Sequence, residues 1–203
     1  MVTNVQVIDD FMEEEQFKKL QTILVGHSFP WFYTEYVSLA PTEGKKIKDP
    51  LAVETPGYSH IFYDGETDRS SLTIDLLEDF FKTLTRRLGY TGKHLIRARA
   101  SIKNPKPGFT EENYNLPHVD YYFPHDTIVF YINDCDGDTR MFNEFFTPVP
   151  GTMGIGSETF TTQQRIPPKA NRLLLFDGLQ YHTASNPINS NHRIIININL
   201  DKI

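Results

Sequence analysis

The sequence predicts an α+β fold in which two N-terminal helices brace one face of a sandwich- or barrel-like β-sheet. Three observations predict it. The first 93 residues hold two segments with apolar residues at helical spacing. From residue 94 onward, short β-branched and aromatic runs alternate with Pro, Gly, Asn and Asp. The length of 203 residues, 39% hydrophobic and 23% charged, suits one sizeable domain. That domain is expected to span 1–203, with a mixed helical support at 1–93 and a β-rich core at 94–203.

Taken in order, Val5-Gln6-Val7-Ile8 reads as a short strand. Asp9 or Asp10 can cap the helix that follows, and acidic residues suit its first turn. Phe11, Phe17, Leu20, Ile23 and Leu24 give that helix its apolar stripe. Residues 26–57, rich in Pro, Gly and aromatics, read as short strands and loops. A second helix is expected from Ser71 to Leu88, with Leu72, Leu76, Phe80 and Leu84 on its apolar face and Gly89 ending it. The β-rich runs are Leu95 to Ile102, Thr127 to Asn133, Thr139 to Phe142, Arg172 to Phe176 and Arg193 to Leu200.

Composition narrows the class of function. No apolar stretch approaches the roughly 18 residues of a membrane span. Met1-Val2-Thr3-Asn4 lacks a basic n-region, so no secretory leader is expected. The single Cys135 rules out an internal disulfide framework, and a reducing, cytoplasmic setting is the expectation. Nothing nearby would activate that thiol, so it reads as a bystander. A net charge of −6 disfavours a phosphate-tracking surface, and nucleic acid is not an expected partner. Lys45-Lys46-Ile47-Lys48, the one dense basic cluster, reads as a solvated loop.

Two stretches hold the chemistry. In "PHVDYY" (117–122), His118 and Asp120 fall on one face of an extended backbone, where an imidazole nitrogen and a carboxylate oxygen can share one metal ion. Alone, that tripeptide is weak. In "YHTASNPINSNHRIIININL" (181–200), a turn at Asn186-Pro187-Ile188-Asn189 would set His182 opposite Arg193 across a hairpin, with Cβ atoms about 5 Å apart. Two His and one carboxylate form the facial triad of non-haem Fe(II) oxygenases, which leaves three positions open. A dicarboxylic 2-oxoacid chelating there would need a fixed cation for its remote carboxylate, and Arg193 supplies a planar, bidentate one. By alternation, Arg193, Ile195, Asn197 and Asn199 share a face. Asp134, Asp136 and Asp138 echo a calcium loop, but Gly137 precedes the last Asp and the downstream Glu is missing, so an acidic turn is expected. His27, His60, His94, His125 and His192 are unassigned; His125 is expected at the surface or rim, and His192 on the face opposite Arg193.

These residues bring a family into view. The chain resembles the 2-oxoglutarate/Fe(II)-dependent dioxygenases, in particular their prolyl 4-hydroxylase-like branch, with His118, Asp120, His182 and Arg193 in the family's order. "TIVFYINDCDGDTRMF" (127–142) and "NRLLLFDGLQYH" (171–182) resemble the strands between those anchors, and "VQVIDDFMEEEQFKKL" (5–20) the family's first strand and helix. One departure is Gly137-Asp138, where the family has paired glycines.

The resemblance implies a double-stranded β-helix, or jelly roll, with Fe(II) on His118, Asp120 and His182, and with 2-oxoglutarate and O2 as cosubstrates. It places Tyr131, Thr139 and Asn197 with Arg193 around the cosubstrate, and Asn104 where some relatives have a tyrosine. It implies hydroxylation of a substrate C–H, most simply a prolyl residue of a peptide or protein, with succinate and CO2 released. A free amino acid or other small metabolite, or a non-catalytic jelly-roll binding module, are the alternatives. Substrate loops would be 41–60, 110–117 and 143–165, with Trp31, Tyr58, Tyr121 and Tyr122 as rim aromatics.

Overall fold

The computed structural model describes residues 5–35, 49–67, 69–150 and 157–203. Strand β1 (Gln6–Ile8) precedes helix α1 (Glu14–Val25); β2 (Phe32–Thr34), β3 (Gly57–Asp64) and β4 (Arg69–Ser70) follow. A 3-10 turn over Ile74–Leu77 leads into helix α2 (Glu78–Leu88). The β-rich half holds β5 (Leu95–Lys103), β6 (Asp126–Tyr131), β7 (Thr139–Phe145), β8 (Thr162–Ile166), β9 (Leu173–Asp177), β10 (Gln180–Ala184) and β11 (Arg193–Leu200).

Seven of these strands run in the order β1-β9-β6-β11-β5-β3-β2, with β4 paired to β3; β10-β7-β8 form a second, smaller sheet. All strand pairs are antiparallel. Two facing antiparallel sheets with helices on the outside of the larger one make the expected jelly roll. Its main core lies between the helices and the large sheet. Phe11, Phe17 and Phe80 surround Phe130 of β6 at ring-centroid distances of 6.0, 5.9 and 5.0 Å. Ala98 and Ala100 of β5 and Ile194, Ile196, Ile198 and Leu200 of β11 face the same core. A second cluster fills the space between the sheets, with Val129, Tyr131, Met141, Leu174, Phe176 and Ile195.

Several local expectations are corrected. Neither Asp9 nor Asp10 caps α1: the cap is Glu13, without a side-chain bond, and Asp10 sits at φ 49. Asp9 instead pairs with Arg172 at 2.6 Å, tying β1 to the start of β9. Ile23 is 40% exposed and Leu72 99% exposed, so neither belongs to the apolar stripe assigned to it. Leu72 is turned outward because Ser71 and Thr73 bend the chain to reach His60, whose Nε2 lies 3.2 and 2.7 Å from their hydroxyls. Gly89 ends α2 as expected, at φ 81, with its N–H on the Thr85 carbonyl.

The largest correction concerns residues 182–193. They form no hairpin. β10 pairs with β7 and β11 pairs with β5 and β6, so the chain crosses from one sheet to the other between Ala184 and Arg193. Asp136 decides this path. Its carboxylate accepts the backbone N–H groups of Ile188, Asn189 and Ser190 at 3.2, 2.7 and 3.2 Å. Burial works against the charge of Asp136, but those amides outweigh it and hold the carboxyl at about 2. The acidic turn is thus a clasp rather than a calcium loop. Gly137 is required there: a Cβ would stand 2.7 Å from the Ser185 carbonyl oxygen and 2.9 Å from the Pro187 nitrogen.

Candidate functional site

His118 and His182 come together although they are far apart in sequence. They form an isolated antiparallel bridge, each backbone N–H donating to the other's carbonyl at 3.0 Å. Their rings lie 4.7 Å apart. The Nδ1 of His118 is 3.0 Å from the Leu116 carbonyl oxygen, and that of His182 is 3.1 Å from the Gln180 carbonyl oxygen. A carbonyl only accepts, so each Nδ1 holds its proton and each Nε2 presents a lone pair. Asp120 completes the group, and one ligand atom from each residue lies within 4.8 Å of the others.

The electrostatics match a ligand set. Burial, reinforced by His182, pushes His118 down to about 3, and burial also lowers His182. Burial opposes ionisation of Asp120, but the Arg97 guanidinium, helped by the Asn199 amide, holds its carboxyl well below the usual range. Two neutral imidazoles and one carboxylate therefore face each other at neutral pH and need release no proton to bind a cation. Asp120 is also fixed in place. Its Oδ1 accepts from Arg97 at 3.0 Å, and its Oδ2 accepts from Asn197 at 3.0 Å and Asn199 at 2.8 Å. The residues present fit a divalent metal with three sites left to outside ligands.

The triad lines a cavity between the sheets. Val129, Ile195, Asn197 and Arg193 line it from the large sheet, and Thr139, Thr183 and Ala184 from the small one. Arg193, 3% exposed, donates from Nε to the Gly137 carbonyl and from one terminal nitrogen to Thr139 Oγ1, both at 2.8 Å. It has no ion-pair partner among the described residues, so the remaining guanidinium N–H groups can take an outside carboxylate. His182 and Arg193 still reach one cavity, but from opposite sheets rather than across the expected hairpin.

The other expected cosubstrate residues take distinct places. Thr139 lines the cavity and accepts from Arg193. Tyr131 is wholly buried behind it; its hydroxyl donates to Thr139 Oγ1 at 2.6 Å, and its ring lies 5.6 Å under Arg193. Asn197 lines the cavity but donates its amide to Asp120. Asn104 is exposed, and its strand neighbour Lys103 faces the cavity in its stead. Trp31 packs on the main core and Tyr121 is buried under Arg97, so neither is a rim residue; Tyr122 and Tyr58 are 43% and 38% exposed. His125 is fully buried rather than on the rim, packed so closely on Gly178 that a Cβ there would stand 2.1 Å from its Nε2. Part of the expected substrate loops (41–48 and 151–156), with the 45–48 basic cluster, lies outside the described residues.

Sequence reasoning missed the inner face of β5. Arg97, Arg99, Ser101 and Lys103 stand opposite Asn199, Asn197, Ile195 and Arg193. Arg99, Ser101 and Lys103 line the cavity. Burial, with the Arg97 charge beside it, lowers Arg99 to about 10. Burial, joined by Arg193 and Arg99 and opposed by Glu54, pushes Lys103 down to about 7. The signal was present: "RARASIK" sets a polar side chain at every second position of a strand whose other face is alanine and isoleucine.

No protein-family model matches the sequence, and no curated protein matches it. Solved structures do. The chain is similar to a prolyl hydroxylase of Trichoplax adhaerens in complex with a hypoxia inducible factor peptide fragment, at 16% identity and TM-score 0.52, covering 97% of this chain and 83% of that one. It is similar to a 2OG-Fe(II) oxygenase family oxidoreductase of Burkholderia pseudomallei, at 10% identity and TM-score 0.57, over 97% and 84% of the two chains. It is also similar to the α-ketoglutarate-dependent epimerase SnoN of nogalamycin biosynthesis, at 11% identity and TM-score 0.56, over 97% and 76%. The fold is that of the 2-oxoglutarate/Fe(II) oxygenases, prolyl hydroxylases among them. No helix among the described residues is long and apolar enough to cross a membrane.

Proposed function

We propose that the protein is an Fe(II)- and 2-oxoglutarate-dependent dioxygenase that hydroxylates a C–H bond, with a prolyl residue of a peptide or protein as the favoured substrate. The observation that carries this reading is the convergence of His118, Asp120 and His182 beside a buried guanidinium in one cavity. Iron bound by that triad would supply O2 activation coupled to decarboxylation of the 2-oxoacid, with succinate and CO2 released and one oxygen left on the substrate.

The chain's own residues set the arrangement. His118 and His182 present Nε2, held in that tautomer by the Leu116 and Gln180 carbonyls. Arg97, Asn197 and Asn199 orient the Asp120 carboxylate. Arg193 receives the remote carboxylate of the cosubstrate, with Thr139 fixing its guanidinium and Tyr131 fixing Thr139. Ile195 and Val129 form apolar walls that keep water from the chelated end. Tyr122, two residues beyond Asp120 and exposed, offers an aromatic face to a prolyl ring.

Succinate release from 2-oxoglutarate, dependent on added Fe(II) and O2, tests the reaction class. A panel of proline-containing peptides beside free amino acids, read by mass gain of one oxygen, tests the substrate. Gain on peptides supports the prolyl reading. Gain only on free amino acids replaces it with the small-molecule alternative, and absence of both succinate and metal binding leaves a non-catalytic module.

A further inference from the structure

Arg193 is held by the connection between β6 and β7. Asn133 brackets its backbone: the side-chain amide donates to the His192 carbonyl at 3.0 Å, and the side-chain oxygen accepts from the Ile194 N–H at 2.8 Å. Gly137 and Thr139 hold its guanidinium, as a carbonyl and a hydroxyl acceptor. These two acceptors are fixed in different ways. Thr139 opens β7, is paired with Ala184 and Ile166, and takes the Tyr131 hydroxyl. Gly137 lies in no strand, so the direction of its carbonyl depends on its neighbours.

Both neighbours are anchored. Asp138 accepts the Ser185 N–H on its carbonyl and the Arg165 Nε on its carboxylate, both at 2.8 Å. Asp136 makes five bonds to Ile188, Asn189 and Ser190, four through its carboxylate and one from its own N–H to the Ser190 hydroxyl. Asp136 thus precedes the acceptor of Arg193 and grips the chain three residues before Arg193 itself. A long side chain has many rotamers, and paired recognition of a carboxylate tolerates little rotation of the guanidinium plane.

We propose that Asp136 is a positioning residue for the cosubstrate: by clasping 188–190 it fixes the Gly137 carbonyl, and through it the guanidinium of Arg193, in the orientation that receives a remote carboxylate. This rests on the 2-oxoglutarate reading above. Asp136 itself touches no ligand; it acts through the backbone on either side of the cation.

Two measurements on the full chain test this. The first needs no ligand. The Arg193 Nε proton, bonded to the Gly137 carbonyl, should give a slowly exchanging resonance, assigned by its absence in Arg193→Gln. Asp136→Asn is expected to speed that exchange roughly tenfold. The second is calorimetric titration of Mn(II)-loaded protein with 2-oxoglutarate and with 2-oxopentanoate, which lacks the remote carboxylate. Asp136→Asn is expected to weaken 2-oxoglutarate roughly tenfold and to leave 2-oxopentanoate and Mn(II) unchanged. In an Arg193→Gln background the same substitution should add nothing. Asn189→Ala, a milder cut that removes one side-chain bond to Asp136, should move both readouts the same way by roughly threefold. Ile198→Ala, which weakens the same strand from its core side, should move neither.

Loss of affinity for both 2-oxoacids, additivity with Arg193→Gln, or an unaltered Arg193 exchange rate overturns the proposal. If unaltered, Mn(II)-loaded protein binds neither 2-oxoacid, the 2-oxoglutarate reading fails; failure of the Asp136 assignment is read separately, from the exchange rate alone.

Discussion

The two faces of β11 share one backbone and almost nothing else. Toward the helices it presents Ile194, Ile196, Ile198 and Leu200, each at most 2% exposed. Toward the cavity it presents Arg193, Ile195, Asn197 and Asn199, each at most 8% exposed. β5 repeats the contrast, with Ala98 and Ala100 on the core side and Arg97, Arg99, Ser101 and Lys103 on the other. Burial alone therefore does not distinguish core from site. The difference is in what buried atoms need. The isoleucines need contact, and a same-sized neighbour supplies it. The asparagines and arginines need particular partners at particular distances, and Asp120 and Thr139 provide them.

Substitutions on the two faces should separate stability from binding. The largest effect is expected from Asp120→Asn on the cavity side. Metal affinity, followed by calorimetry with Mn(II), should fall well beyond the roughly hundredfold loss typical of a supporting residue. Ile198→Ala on the core side should do the opposite, costing about 2–5 kcal/mol in urea unfolding while metal affinity stays intact. Equal loss of both properties in either variant would dissolve the contrast. Next comes Asn199→Ala: with its donation to Asp120 Oδ2 gone, metal affinity should drop about tenfold.

The smallest effect is a pH dependence. In the metal-free protein His118 lies at about 3, against an ordinary imidazole value near 6.5. Between those values the unfolded chain binds the proton and the folded chain does not, so stability should decline as pH falls from about 6.5 toward 3. Urea midpoints at pH 7 and pH 5 should differ, and His118→Gln should shrink that difference. A core-side substitution should leave it unchanged.

Much of this contrast was legible in the sequence. Alternation in "RIIININL" assigned every residue of β11 to its face, and the strand spans Arg193–Leu200 as expected. The grouping of His118, Asp120 and His182 with Arg193 was expected from residue type and order together with the family resemblance, and the structure brings the four to one cavity. What local reasoning lost was decided by residues distant in the chain. The expected hairpin fails because Asp136, 52 positions before Ile188, takes the loop's amides for itself. β8 escaped notice because four of its five residues are exposed, leaving no apolar alternation to read. Arg99 and Lys103 escaped because arginine and lysine in a strand ordinarily face water, and only the opposing sheet turns that side of β5 inward.

β11 is central in its sheet, bonded to β5 on one side and β6 on the other. Sliding it by a single position would thrust isoleucines among the polar groups and bury a guanidinium among phenylalanines. Gained or lost codons within 193–200 should thus be lethal to folding and chemistry alike, while the exposed tip near Asn189 can absorb changes in length so long as the aspartate clasp still closes.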